Sequence, residues 1–160
     1  MYSPQKAFDA NLFFTRGLCV AIVHTSWHRD IVDKLVDGAK RACLEQGIKE
    51  SNIVCFEVAG SFELSQMVSH LAGSQKYGAI IPLGCLIKGE TIHFEVIAQT
   101  ITDALDEIGR RSGIPVSLGV ITVNSKAQAL ERCGGKEGHK GYEAAIAAIQ
   151  LAQHFFTQKQ

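Results

Sequence analysis

The chain has 160 residues, 46% of them hydrophobic and 20% charged, with 16 basic and 16 acidic side chains and a formal net charge of +0. That is one domain of ordinary globular composition, long enough for a real core. Zero net charge excludes a basic field for nucleic acid or an anionic membrane, and it does little to oppose self-association.

The amino end, MYSPQKAFDANLFFTRG, has no positive segment ahead of a long apolar one, so no secretory leader is expected. No apolar run approaches the roughly 20 residues that cross a bilayer. Gly17–His24 reads as a buried strand. Asp30–Gln46 carries Ile31, Leu35, Ala39, Ala42 and Cys43 at helical spacing, with Gly47 as its stop. Asn52–Val58 is a second strand, and Glu63–Leu71 a second helix broken by Gly73 and Ser74. Tyr77–Ile87 is the third strand, followed by a helix over Ile92–Ile108 with Ile97, Ile101, Leu105 and Ile108 on one stripe. Pro115–Thr122 is the fourth strand and Ser125–Cys133 a short helix. A Gly-rich loop, GGKEGHKG, then leads into a last helix, Tyr142–Phe156.

Strand–helix alternation predicts an α/β fold: a single-domain three-layer sandwich with a flavodoxin-like, parallel four-stranded sheet and helices on both faces. Residues 17–158 form that domain, and residues 1–16 an amino-terminal arm. The last helix is apolar almost all round, through Ala144, Ala145, Ile146, Ala147, Ala148, Ile149, Leu151, Ala152, Phe155 and Phe156. Such a helix needs cover on both sides, and a subunit interface is the natural source.

Five scattered cysteines (Cys19, Cys43, Cys55, Cys85, Cys133) form no CxxC pair. They read as small buried hydrophobes of a reducing cytoplasm, not as disulfides or a nucleophile. The six histidines are dispersed without metal-ligand spacing, so no metal is expected. A dinucleotide-type GxGxxG and a GxxxxGK[ST] phosphate loop are both absent.

In a parallel sheet the residues just after each strand converge on one edge. The third strand leads into Lys88, Gly89, Glu90, Thr91 and His93, directly before a helix. Helix N–H groups, Lys88 and the Thr91 hydroxyl suit an anion such as phosphate, and His93 beside it can move protons near neutral pH. After the first strand comes the chain's only tryptophan, Trp27, either a lid on the core or a stacking face for a flat heterocycle. Beside it, His28 reads as an exposed residue of a helix's first turn. After the second strand, Ser61, Phe62 and Glu63 open a helix. The Glu63 carboxylate suits either the helix dipole or a ligand's hydroxyl and N–H groups. Arg132 and Lys140 flank the Gly-rich loop and read by default as surface charges.

With Trp27, GSFE, LGCLIKGETIHFE and R-x-G-G-K-x-G-x-K-G in this order, the chain resembles the 6,7-dimethyl-8-ribityllumazine synthase family from Leu18 to Ala152. The family's VPGAFEIP matches Val58–Ser65, and its ALGxVIRGxTxHF matches Pro82–Phe94. The resemblance implies a transferase of the penultimate step of riboflavin biosynthesis. It would condense 5-amino-6-(D-ribitylamino)uracil with 3,4-dihydroxy-2-butanone 4-phosphate, without cofactor. By position, His93 would be the proton donor and acceptor. Trp27, Ser61, Phe62, Glu63, Cys85, Leu86, Ile87, Leu118 and Lys140 would hold the pyrimidine and its ribityl chain. Lys88, Glu90, Thr91 and Arg132 would hold the phosphate substrate.

The resemblance further implies a homo-oligomer, as a pentamer, decamer or sixty-subunit icosahedral shell, with each site shared between neighbours. Leu118, Arg132 and Lys140 would come from one subunit and the other residues from the next. Leu12–Phe14 would pair with a neighbour's sheet edge, and riboflavin or lumazine, and riboflavin synthase, are the further partners that it suggests. Three positions depart from the family's pattern: Lys88 stands for arginine, Leu118 for an aromatic residue and His139 for the asparagine of GNKG. They motivate a second reading, a flavin- or lumazine-binding shell protein with reduced catalysis.

Overall fold

A computed structural model describes residues 12–158, apart from the side chains of residues 12 and 13. The elements in order are α1 (Leu12–Gly17), β1 (Val20–Thr25), α2 (Arg29–Glu45), β2 (Ile53–Val58), α3 (Ser61–Ser74), β3 (Ala79–Ile87) and α4 (His93–Ser112). Then follow β4 (Gly119–Val123), α5 (Lys126–Glu131), β5 (Cys133–Gly135), β6 (Gly138–His139) and α6 (Lys140–Thr157). Strands β1 to β4 form one parallel sheet in the order β2-β1-β3-β4, as strand–helix alternation requires.

Side-chain alternation along the strands divides the core into two layers. Val20, Ile22, Ala79, Ile81, Leu83, Cys85, Ile121 and Val123 face α2 and α6, together with Ile31, Leu35, Ala39, Ala145 and Ile149. Ala21, Val23, Ile80 and Val120 face α3 and α4, against Leu64, Val68, Leu71, Ile101 and Leu105. A fully buried aliphatic side chain in these layers contributes about 1.5–3 kcal/mol relative to exposure. The sheet is therefore held rigid beneath its carboxyl edge, where the ligand site of such a fold lies.

Several boundaries differ from the sequence reading, each for a local reason. Helix α2 ends where expected: Gly47 has φ 86, and its N–H returns to the Leu44 carbonyl at 3.0 Å. Helix α3 runs through Gly73 to Ser74, because a lone glycine weakens a packed helix without breaking it. The fourth strand starts at Gly119, not Pro115. The Pro115 carbonyl accepts the Ile80 N–H at 2.9 Å, and the Ser117 N–H reaches the Ile80 carbonyl at 3.2 Å. The next donor on that side of β3 falls on Pro82, which has no N–H, so the ladder lapses until Gly119. GGKEGHKG is a short antiparallel hairpin, β5 with β6, rather than a loop, and Cys133 belongs to it instead of ending α5.

Cys55 is exposed on the edge strand β2, against the expectation of burial. Cys43, Cys85 and Cys133 are buried and Cys19 half-buried. Helix α6 buries Ala144, Ala145, Ala148, Ile149 and Ala152 and leaves Leu151, Phe155 and Phe156 exposed, so among the described residues one apolar side is only partly covered. Leu12–Phe14, expected to pair with a neighbour's sheet edge, lies within helix α1 instead, where Phe14 packs on Phe156 with ring centroids 4.8 Å apart. The rest of the arm, residues 1–11, lies outside the described residues.

Candidate active site

The carboxyl ends of β1, β2 and β3 and the starts of α3 and α4 enclose a cavity of about 510 Å³, within the range of small-molecule sites. Its walls carry Trp27, His28, Gly60, Ser61, Phe62, Glu63, Cys85, Leu86, Ile87, His93 and Ile97. Three post-strand segments, distant in sequence, thus meet at one place.

The first two segments are tied together. The Ser26 N–H donates to the Val58 carbonyl at 2.9 Å, and the Ser26 hydroxyl donates to the Ala59 carbonyl at 2.8 Å. Trp27 thereby stands beside Gly60, where an added Cβ would meet the indole Cδ1 at 3.7 Å. Its side chain is 68% exposed, so it is no lid on the core. His28, exposed as expected, takes the left-handed conformation (φ 52, ψ 48), and its carbonyl accepts the Ile31 and Val32 N–H groups at 2.9 Å each. That sharp turn sends the chain from β1 into α2 and leaves the indole facing the cavity mouth.

Glu63 serves the start of α3: its Oε2 accepts the Gly60 N–H at 2.9 Å. This is the acidic half of a capping box, with glycine where a serine or threonine would supply the other half. The carboxylate also lines the cavity, so the local role accompanies rather than replaces a ligand-facing position. Cys85 is 3% exposed, and burial pushes its thiol up to about 12. It is a neutral wall near pH 7, not a nucleophile.

His93 is the first residue of α4, exposed at the cavity, and its N–H points to the Thr91 Oγ1 at 3.4 Å. The first N–H groups of a helix lack intrahelical partners and carry its positive dipole end. Glu90 and Thr91 form the exposed turn just before them, outside the cavity wall proper. The Lys88 N–H donates to the Val123 carbonyl at 2.8 Å, and its Nζ pairs with Glu95 Oε1 at 3.0 Å. This ammonium is occupied by α4 rather than turned to the cavity.

Leu118, Arg132 and Lys140 do not line the cavity. Leu118, 53% exposed, lies just ahead of β4. Arg132 and Lys140 are brought together by the β5–β6 hairpin, where the Lys140 N–H donates to the Arg132 carbonyl at 2.8 Å. Arg132 Nη1 donates to the Gln128 carbonyl at 3.0 Å, and Lys140 Nζ pairs with Glu143 Oε2 at 2.7 Å. Sequence reasoning gave no site role to three residues of the cavity wall, His28, Gly60 and Ile97. Ile97 stands one helical turn after His93, and that i+4 spacing is the signal that could have found it.

A larger groove of about 690 Å³ lies between α3 and α4, bordered by Ser65, Ser69, Ala104, Glu107 and Arg111. It holds a Glu107–Arg111 pair at 2.8 Å but no converging strand ends or histidine. Among the described residues no cluster of three or more His, Cys, Asp or Glu side chains could hold a metal ion. None of their helices is long and apolar enough to cross a membrane.

Comparison with known proteins identifies the family. Residues 17–155 match the family model described as 6,7-dimethyl-8-ribityllumazine synthase. A protein of that name from Renibacterium salmoninarum is 41% identical over 145 residues, which cover 86% of this chain and 89% of that protein. Another of the same name, from Porphyromonas gingivalis, is 36% identical over 137 residues, covering 86% and 85%. A third, from Sulfurimonas denitrificans, is 38% identical over 147 residues, covering 92% and 96%. With family match and identity extending over most of its length, the chain belongs to the 6,7-dimethyl-8-ribityllumazine synthase family.

Proposed function

We propose that the protein is a cofactor-independent transferase of riboflavin biosynthesis. It condenses 5-amino-6-(D-ribitylamino)uracil with 3,4-dihydroxy-2-butanone 4-phosphate to 6,7-dimethyl-8-ribityllumazine, releasing one phosphate and two waters. The observation that carries this reading is the cavity itself, where an exposed indole, the Glu63 carboxylate and His93 meet at the amino end of α4.

Trp27 and Phe62 stack on the pyrimidine, while Ser61, Glu63 and the backbone of Cys85, Leu86 and Ile87 hold its polar edge and ribityl chain. The phosphate substrate sits at the start of α4, held by the free N–H groups around Glu90 and Thr91 with Lys88 and Arg132 nearby. The pyrimidine's 5-amino group attacks the ketone, and the carbinolamine loses the first water. His93 carries the proton to the departing hydroxyl. Phosphate then leaves by elimination, its developing charge stabilised by helix N–H donors and by the Arg132 guanidinium. Elimination leaves an enol that tautomerises to a new ketone at the former carbinol carbon. The ribityl-bearing nitrogen attacks that ketone, and loss of the second water completes the ring.

The site is completed by a second copy of the chain. Leu118, Arg132 and Lys140 stand away from the cavity in their own subunit, which supports their delivery to a neighbour's cavity. The exposed Leu151 and Phe155 support an oligomer as well. The assembly is a closed homo-oligomer built on pentamers, and the free cysteines fit a cytoplasmic location.

The test is to mix both substrates with purified protein and follow lumazine absorbance and released phosphate together. One phosphate per lumazine is the expected result. Lumazine binding without phosphate release would overturn the reading in favour of a binding shell protein.

A further inference from the structure

His139, one of the three departures from the family's pattern, occupies a place built around its ring. It is the N-cap of α6, and its Nδ1 accepts the Tyr142 N–H at 3.3 Å. A Cβ on Gly38 of α2 would fall on the imidazole, and a Cβ on Gly134 of β5 would meet its Cδ2 at 3.5 Å. The ring is thus seated between two glycines on separate elements. Its own residue pairs with Cys133 across the hairpin, and the next residue is Lys140, whose N–H is bound to the Arg132 carbonyl.

We propose that His139 is the positioning residue for Lys140 and Arg132: its unprotonated ring caps α6 through Nδ1, and proton uptake there releases the cap and loosens the hairpin that carries both cations. The consequence for turnover rests on the site roles proposed above, whereas the cap does not.

A proton taken from solvent at Nδ1 consumes the lone pair that accepts the Tyr142 N–H, leaving two donors face to face. It also sets a cation at the positive end of the α6 dipole. Burial, more than the surrounding charges, favours the neutral ring. Burial holds its pKa below the usual 6.5, and Arg41 on α2 adds to the shift. The backbone at His139 and Lys34 and the Glu143 carboxylate on α6 oppose it. Glu143 is already paired with Lys140. Arg41 lies over the Tyr142 ring at 5.2 Å and approaches Glu45 at 3.9 Å, and the Tyr142 hydroxyl donates to Glu45 at 2.7 Å.

The test is amide hydrogen exchange of the assembled wild-type protein and His139→Asn, followed by mass spectrometry on peptides spanning residues 138–146. Rates are corrected for intrinsic pH dependence between pH 7.5 and 5.5. Asparagine keeps a capping acceptor but cannot titrate. The wild type is expected to lose about fivefold protection on acidification, the equivalent of one N-cap, and His139→Asn to stay constant within about twofold. Equal pH dependence in the two proteins, or unchanged protection in the wild type, overturns the proposal. A parallel pH profile of kcat/KM should fall more steeply for the wild type. Identical profiles despite different exchange would overturn the link to the two cations. A protein that makes no lumazine at any pH would fail the functional reading, while exchange still decides the cap.

Discussion

Lys88 Nζ lies 3.0 Å from Glu95 Oε1, so the loop after β3 is pinned to the first turn of α4 by an ion pair. The Lys88 ammonium in turn holds the Glu95 carboxyl below its usual pKa. Both side chains are about half exposed, and a pair of that kind adds little to stability. Its effect lies in what it withholds: a cation turned to α4 is not turned to a phosphate. Glu95→Gln should leave the melting temperature nearly unchanged and lower KM for the phosphate substrate by freeing Lys88. Lys88→Ala removes a cation that Glu95 already holds, so it should change that KM by less than about twofold. Steady-state kinetics with each substrate varied in turn measures both.

His93→Ala removes the group placed to move protons and leaves the cavity walls standing. A fall in kcat of about 10²-fold is expected, at the modest end of general acid–base catalysis. Juxtaposing two substrates accelerates the reaction by itself, so measurable activity should survive. A variant as fast as wild type would remove His93 from the mechanism.

Trp27 is the only tryptophan and is 68% exposed at the cavity mouth. The fused rings of the product and of riboflavin offer it a flat stacking partner. Titration with riboflavin should quench its emission, and Trp27→Phe should weaken binding while keeping an aromatic face. Unchanged fluorescence at saturating riboflavin would show that the cavity does not admit the tricyclic ring.

Burial pushes the thiols of Cys43 and Cys85 up to about 12, from an ordinary value of 9.0. Unfolded thiols ionise first as pH rises, so the folded state binds more protons between those values and loses stability there. Thermal melts should show a midpoint steady below about pH 9 and falling toward pH 11. A Cys43→Ala/Cys85→Ala protein should show a shallower decline, although the two small cavities lower its midpoint at neutral pH.

Gly141 sits at the closest approach of α6 to α2. An added Cβ would meet the Leu35 Cα at 2.8 Å and its carbonyl oxygen closer still. A helix backbone cannot step aside as a side chain can. Gly141→Ala should therefore destabilise the fold by about 1–3 kcal/mol or more, as overpacking does. Denaturant melts measure the loss.

Element types and order were legible because alternating apolar runs and helical stripes are local patterns. The exceptions have non-local causes. Pro82 lies on β3, yet it delays β4 by withholding a hydrogen bond from the neighbouring strand. The hairpin at Cys133–His139 is invisible to periodicity because its strands have three and two residues. Cys55 reads as buried by composition, and its exposure follows from the place of β2 at the sheet edge.

The sequence by itself determined the family, the α/β class and the segments that supply Trp27, Ser61 to Glu63, Cys85 to Ile87 and His93, because short motifs and the polarity of a parallel sheet are written locally. Only the tertiary structure decided which side chains are free to act. Lys88 faces Glu95, Glu63 caps its own helix while still lining the cavity, and Arg132 and Lys140 flank a hairpin apart from it. The physical reason is that a charged side chain's partner is set by distance in space, and residues far apart in the chain acquire that distance only when the layers close.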